Sequence, residues 1–189
     1  AENTYEGDTD VKGAMALQVN GVTGGISTSS NINLDGNATF RYDNTGATAA
    51  ISDNFGNLNL LSGETQIVHK RTENFDTQIT FAGISRAQGA TGNFSVMETD
   101  SSASGNRTAF ASNPTPSSFI DQGLFYAGTN YAAYDAAGFV RALDYLSDLQ
   151  TSSASAGTNM NASAGTHVNL LGSISNQDTL SIRTLRITD

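Results

Sequence analysis

Asn31-Ile32-Asn33-Leu34-Asp35-Gly36-Asn37-Ala38-Thr39-Phe40-Arg41-Tyr42-Asp43-Asn44-Thr45-Gly46 carries the pattern that decides the fold. Ile32 and Leu34 alternate with Asn31 and Asn33, and Ala38, Phe40 and Tyr42 alternate with Thr39 and Arg41. A period of two places one set of side chains on one face of a strand. Asp35-Gly36-Asn37 and Asp43-Asn44-Thr45-Gly46 punctuate these runs; glycine and asparagine supply the positive φ angles and local hydrogen bonds that turns need. The same couplet recurs outward in both directions. Met15, Leu17 and Val19 share a face, as do Ile79 with Phe81 and Phe94 with Val96. Gly24-Gly25, Gly56-Asn57 and Ser62-Gly63 mark further turns. At the far end Leu180-Ser181-Ile182 and Leu185-Arg186-Ile187 alternate with one slip at Arg183-Thr184, a bulge or a bend.

Strands of about 4–6 residues between such turns describe an all-β chain. A helix competes in one place only, Asp135–Leu149, where alanines, Val140, Leu143 and Leu146 are interrupted by Gly138 and by the β-formers Phe139, Val140 and Tyr145. A sandwich, a closed barrel and a parallel solenoid all use short strands. Short strands, irregular spacing and asparagine at nearly every turn favour the solenoid, in which each strand pairs with its equivalents one coil above and below, about 4.8 Å away. The expected fold is a right-handed parallel β-helix over residues 1–189, as a single segment with room for one short helix or irregular insertion.

Composition excludes several functions. Serine, threonine and asparagine total 61 residues and glycine adds 19, while only 14% of residues are charged. A net charge of −9 argues against nucleic-acid phosphates as a partner. No apolar run reaches the roughly 20 residues of a membrane helix. Without cysteine there is no disulfide framework, thiolate metal site or thiol nucleophile.

The segment Asn3-Thr4-Tyr5-Glu6-Gly7-Asp8-Thr9-Asp10-Val11-Lys12-Gly13-Ala14-Met15-Ala16-Leu17-Gln18-Val19-Asn20-Gly21 resembles the autotransporter-associated β-strand repeat of bacterial surface proteins. Asn3, Thr4, Tyr5, Gly7, Thr9, Val11, Leu17, Val19, Asn20 and Gly21 stand at its characteristic positions. The stretches 83–94 and 123–143 look like the longer solenoid regions that accompany such repeats. The resemblance implies a right-handed parallel β-helix in a large secreted or cell-surface protein, acting as stalk, adhesin or filament component without a catalytic role.

Motifs for chemistry are sparse. His69 and His167 each lack a second histidine nearby, so no zinc site with three or four ligands assembles from local spacing, and both read as surface or rung-facing residues. No G-x-S-x-G elbow anchors a hydrolase triad. Glu6, Asp8 and Asp10 alternate on one face and offer hard oxygen ligands to calcium, but the repeat that binds calcium in other solenoids is missing. Paired carboxylates from neighbouring coils, the arrangement of a carbohydrate-active β-helix, are invisible to local spacing. The nearest candidate for a glycan-contact patch is Tyr131, Tyr134, Asp135 and Arg141, with Asp144 and Asp148 close in sequence.

These observations lead to one expectation and one alternative. The first is a non-catalytic extracellular or cell-surface solenoid, without metal or other cofactor, whose partners are neighbouring solenoid segments or copies of itself. The alternative is a β-helix that binds or cleaves carbohydrate, with cell-surface glycans as partners. Both ends of the chain read as interior coils, so each is expected to stack on a further segment of a longer chain or an assembly.

Overall fold

The computed structural model describes residues 5–98, 105–112, 115–155, 157, 159–160 and 162–188. Asn3 and Thr4 of the repeat-like segment lie outside the described residues.

The chain winds as a β-solenoid of about four turns. The first coil holds β1 (Thr9–Lys12) and β2 (Ala16–Asn20), and the second holds β3 (Ile32–Asp35), β4 (Thr39–Asp43) and β5 (Ile51–Phe55). The third holds β6 (Leu58–Leu60), β7 (Glu64–Arg71) and β8 (Thr77–Phe81), and the fourth β9 (Ile84–Arg86), β10 (Thr91–Glu98) and β11 (Asn106–Phe110). Three parallel stacks result: β1-β3-β6-β9, β2-β4-β7-β10 and β5-β8-β11. Ile32, Leu58 and Ile84 occupy one position of the first stack at intervals of 26 residues.

Register turns the alternation into columns. Ile32 stands beside Leu58, and Leu34 beside Leu60, all without exposure to solvent. Leu17, Phe40, Ile67 and Phe94 form a column on the second stack, and Phe55, Phe81 and Phe110 one on the third. Phe81 lies at the centre, its ring centroid 5.7 Å from Phe40, 5.6 Å from Phe55 and 5.9 Å from Phe110. Such aromatic pairs add to the hydrophobic gain from burial.

The corner between the first two stacks takes a glycine in every coil: Gly13, Gly36, Gly63 and Gly89, with φ from 67° to 86°. At Gly63 the reason is twofold, because a Cβ would also stand 2.4 Å from the carbonyl oxygen of Gly36 one coil away.

After the fourth coil the winding changes. Strand β12 (Leu124–Tyr126) continues the second stack in parallel, but β13 (Asn130–Tyr134) and β14 (Val140–Ala142) add to it antiparallel. Consecutive left-handed residues, Ala127 at φ 52° and Gly128 at φ 70°, turn the chain between β12 and β13. This hairpin partitions the molecule. Ala132, Tyr134 and Val140 join the main core, while Ala133 packs with Leu143 and Tyr145 on the opposite side. The Asp135–Leu149 segment is therefore strand and turn, and no α-helix occurs among the described residues.

A second, narrower parallel stack follows, of β15 (Thr151–Ala154), β16 (His167–Leu170) and β17 (Thr184–Ile187). Its steps are 16 and 17 residues, from Thr151 to His167 to Thr184. Val168 and Leu170 face its own small core with Met160, and Leu180 and Ile182 pack against it from outside any strand. The slip at Arg183 is a bend.

Candidate functional site

Tyr131, Asp135 and Arg141 lie on or beside the β13–β14 hairpin. Asp135 builds the connecting turn: its Oδ1 accepts the backbone N–H groups of Ala137 and Phe139 at 2.8 and 2.9 Å. Gly138 in that turn has φ 87°. The Tyr131 ring is half-buried, stacked on Phe125 at 5.3 Å and edge-on to Phe119 at 5.9 Å. Tyr134 does not share this surface. It is 8% exposed, its ring stands edge-on to Phe110, and burial pushes its hydroxyl pKa up.

Arg141 meets Asp148 in a two-pronged ion pair, Nη1 to Oδ2 at 2.6 Å and Nη2 to Oδ1 at 2.5 Å. The Asp148 side chain is 1% exposed, and its Oδ2 also accepts the Asp144 amide at 2.7 Å. The hydrogen bond to Asp148 raises the Arg141 pKa above its ordinary value. Asp144 takes the Ser147 hydroxyl and the Leu146 N–H, which hold its carboxyl below the usual range. The charged groups of this region are thus bonded to one another and to turn amides.

Along the outer face of the first stack, polar side chains form an axial ladder. Ser85 donates to Asn59 Oδ1 at 2.7 Å, Asn59 to Asn33 Oδ1 at 2.8 Å, and Asn33 to Asp10 Oδ1 at 2.8 Å. A parallel strip links Asn31 Nδ2 to Asp8 Oδ1 at 2.9 Å and the Asn57 amide to Asn31 Oδ1 at 2.8 Å. Asp8 and Asp10 therefore accept asparagine amides. Among the described residues no three His, Cys, Asp or Glu side chains gather as a metal site.

Among the polar residues buried in the coils, three carry no local sign of it: Asn44, Asp43 and His69. Asn44, without solvent exposure, accepts the N–H groups of Thr72 and Glu73 and donates to the Glu73 and Phe75 carbonyls. Asp43, 2% exposed, accepts from Lys70 at 2.9 Å and from the Thr45 hydroxyl at 2.7 Å. Burial alone would raise its pKa, but these donors outweigh it and hold the carboxyl low.

His69 is the third. Both histidines are buried, each 1% exposed. His69 follows Ile67 by two residues and so points inward beneath Tyr42, whose ring meets it edge-on at 5.3 Å. Its Nε2 lies 2.6 Å from Thr77 Oγ1, and Thr77 donates its own proton to Asn106 Oδ1 at 2.7 Å. Nε2 must therefore carry the ring proton, leaving Nδ1 buried without a partner among the described residues. Burial pushes the His69 pKa down to about 4. His167 sits between the two stacks, with Nδ1 2.9 Å from Thr184 Oγ1 and its ring 4.1 Å from that of Phe119.

No family model matches the chain, and no curated protein or solved structure does either.

Proposed function

We propose that this chain is a structural β-solenoid element of a secreted or cell-surface protein, a stalk, adhesin or filament component without catalytic activity. The axial ladder Asp10–Asn33–Asn59–Ser85 carries this reading. Its hydrogen bonds run from coil to coil, reinforcing the backbone ladders along one axis instead of converging on a point where a substrate could react. The first coil, formed by the segment that resembles an autotransporter-associated repeat, supports a bacterial surface setting.

Stacked turns also fit self-association. Among the described residues β17 pairs only with β16, and its Leu185 and Ile187 continue the row of buried Val168 and Leu170 while being 38% and 68% exposed. An unpaired edge with an apolar row invites a further strand. Among the described residues no helix is long and apolar enough to cross a membrane. The test is light scattering and electron microscopy of the purified chain. Concentration-dependent rods that disappear in the double variant Leu185→Lys, Ile187→Lys support the reading. A monomer at every concentration, or rods indifferent to both substitutions, contradicts it.

A further inference from the structure

Where the two stacks meet lies a cleft of about 450 Å³ walled by Thr115, Phe119, Leu149, Gln150, His167 and Arg183. Its aromatic wall is Phe119, half-buried and backed by the His167 ring. Leu149, 56% exposed, adds apolar surface. Arg183 is exposed and, among the described residues, pairs with no carboxylate. With its Nδ1 held at Thr184, His167 leaves Nε2 without a hydrogen bond to the described residues. Burial and the Arg183 charge lower the His167 pKa, so the ring is neutral near pH 7.

The backbone around the cleft is unusual. Gln150 has φ 58° and Ser117, adjoining the wall, has φ 57°. A non-glycine residue held there is strained and persists only where its surroundings enforce it. Here the Leu149 amide bonds to the Ser117 carbonyl at 3.2 Å and the His167 amide to the Gln150 carbonyl at 2.7 Å.

We propose that this cleft binds an acidic saccharide, its carboxylate on Arg183, one sugar face on Phe119 and its hydroxyls on Gln150 and His167 Nε2. The volume lies in the range of small-ligand sites, which favour such junctions. In a chain of net charge −9, an unpaired guanidinium in a concavity selects an anion. A bare inorganic anion leaves the aromatic wall unused, and a purely apolar ligand strips water from Arg183 without replacing it. A sugar acid satisfies both. This inference is independent of the structural role, since a rod can carry the cleft or lack it.

Titration calorimetry of the whole chain tests it, with cellobiouronate, with cellobiose, which carries a neutral hydroxymethyl group in place of the carboxylate, and with inorganic phosphate. Cellobiouronate is expected to bind saturably, about tenfold or more tighter than either comparison ligand, given what a charge-assisted hydrogen bond contributes. Arg183→Gln, an exposed substitution, should lose that advantage, and the distant surface variant Lys12→Gln should keep it. Phe119→Ala should weaken the sugar acid; if that variant unfolds by circular dichroism, Arg183→Gln alone decides. The proposal is overturned by an absence of saturable cellobiouronate binding, by equal affinity for cellobiose or phosphate, or by undiminished binding in Arg183→Gln.

Discussion

Acid should weaken this fold through one histidine. His69 is 1% exposed, Nε2–H donates to Thr77, and Nδ1 has no hydrogen-bond partner among the described residues. Protonation would place a charged N–H in the core with nothing to receive it. The folded pKa of about 4 lies below the ordinary 6.5, so the unfolded chain takes up this proton first as pH falls. The stability is therefore fully present above about pH 6.5 and is lost as pH drops towards and through 4. At about 1.36 kcal/mol per unit, linkage gives a loss of about 2 kcal/mol by pH 5 and about 3 kcal/mol by pH 4. Asp43 and His167 also have lowered values and contribute in the same direction, so a comparison must isolate His69. His69→Gln keeps an amide donor for Thr77 and removes the titrating ring. Urea unfolding followed by circular dichroism at pH 7, 5 and 4, on both proteins, reads the difference. The variant should lose about 3 kcal/mol less than the parent between pH 7 and pH 4. Parallel losses in the two proteins would refute this account of the buried ring.

Phe81→Ala removes the ring at the crossing of three aromatic contacts and should cost about 3–5 kcal/mol in the same urea assay; a loss below about 1 kcal/mol would show that the column collapses freely. Gly63→Ala combines a φ of 70° with a carbonyl 2.4 Å from the new Cβ, and should destabilise by more than the roughly 1 kcal/mol of the left-handed conformation alone. Metal removal should leave stability unchanged, because Asp8 and Asp10 are engaged by asparagine amides; a fall in Tm of several degrees with EDTA would contradict this.

Much of the first four coils was legible from alternation alone. Ile32, Leu34, Phe40, Tyr42, Ile79 and Phe81 fall inside as their spacing requires, and Gly36 and Gly63 mark corners. The same rule extended by two residues from Ile67 places His69 inside, although its residue type points outward. Met15 shows the opposite limit: it shares the parity of Leu17 and Val19 but sits in the turn before β2, 67% exposed. The hairpin β12–β14 and the change to 16–17-residue steps leave no local trace, because both depend on which distant strand offers a free edge. For the candidate patch, chain proximity correctly put Arg141 near Asp148. It could not tell that Tyr134 turns into the core, since on β13 Ala132, Ala133 and Tyr134 are buried on both faces.

Residues one coil apart lie side by side in parallel register, and the absence of cysteine allows a direct test. Asn33 and Asn59 are register partners on the outer face of the first stack, and Ser85 lies one coil further. Adjacent strands stand about 4.8 Å apart, within disulfide reach, whereas two coils, about 9.6 Å, exceed it. The measurement is intact mass after mild oxidation of the monomeric double variants Asn33→Cys, Asn59→Cys and Asn33→Cys, Ser85→Cys. This register gives an intramolecular disulfide in the first and two free thiols in the second. A first variant that stays reduced while folded, or a second that crosslinks as readily, would contradict the solenoid register.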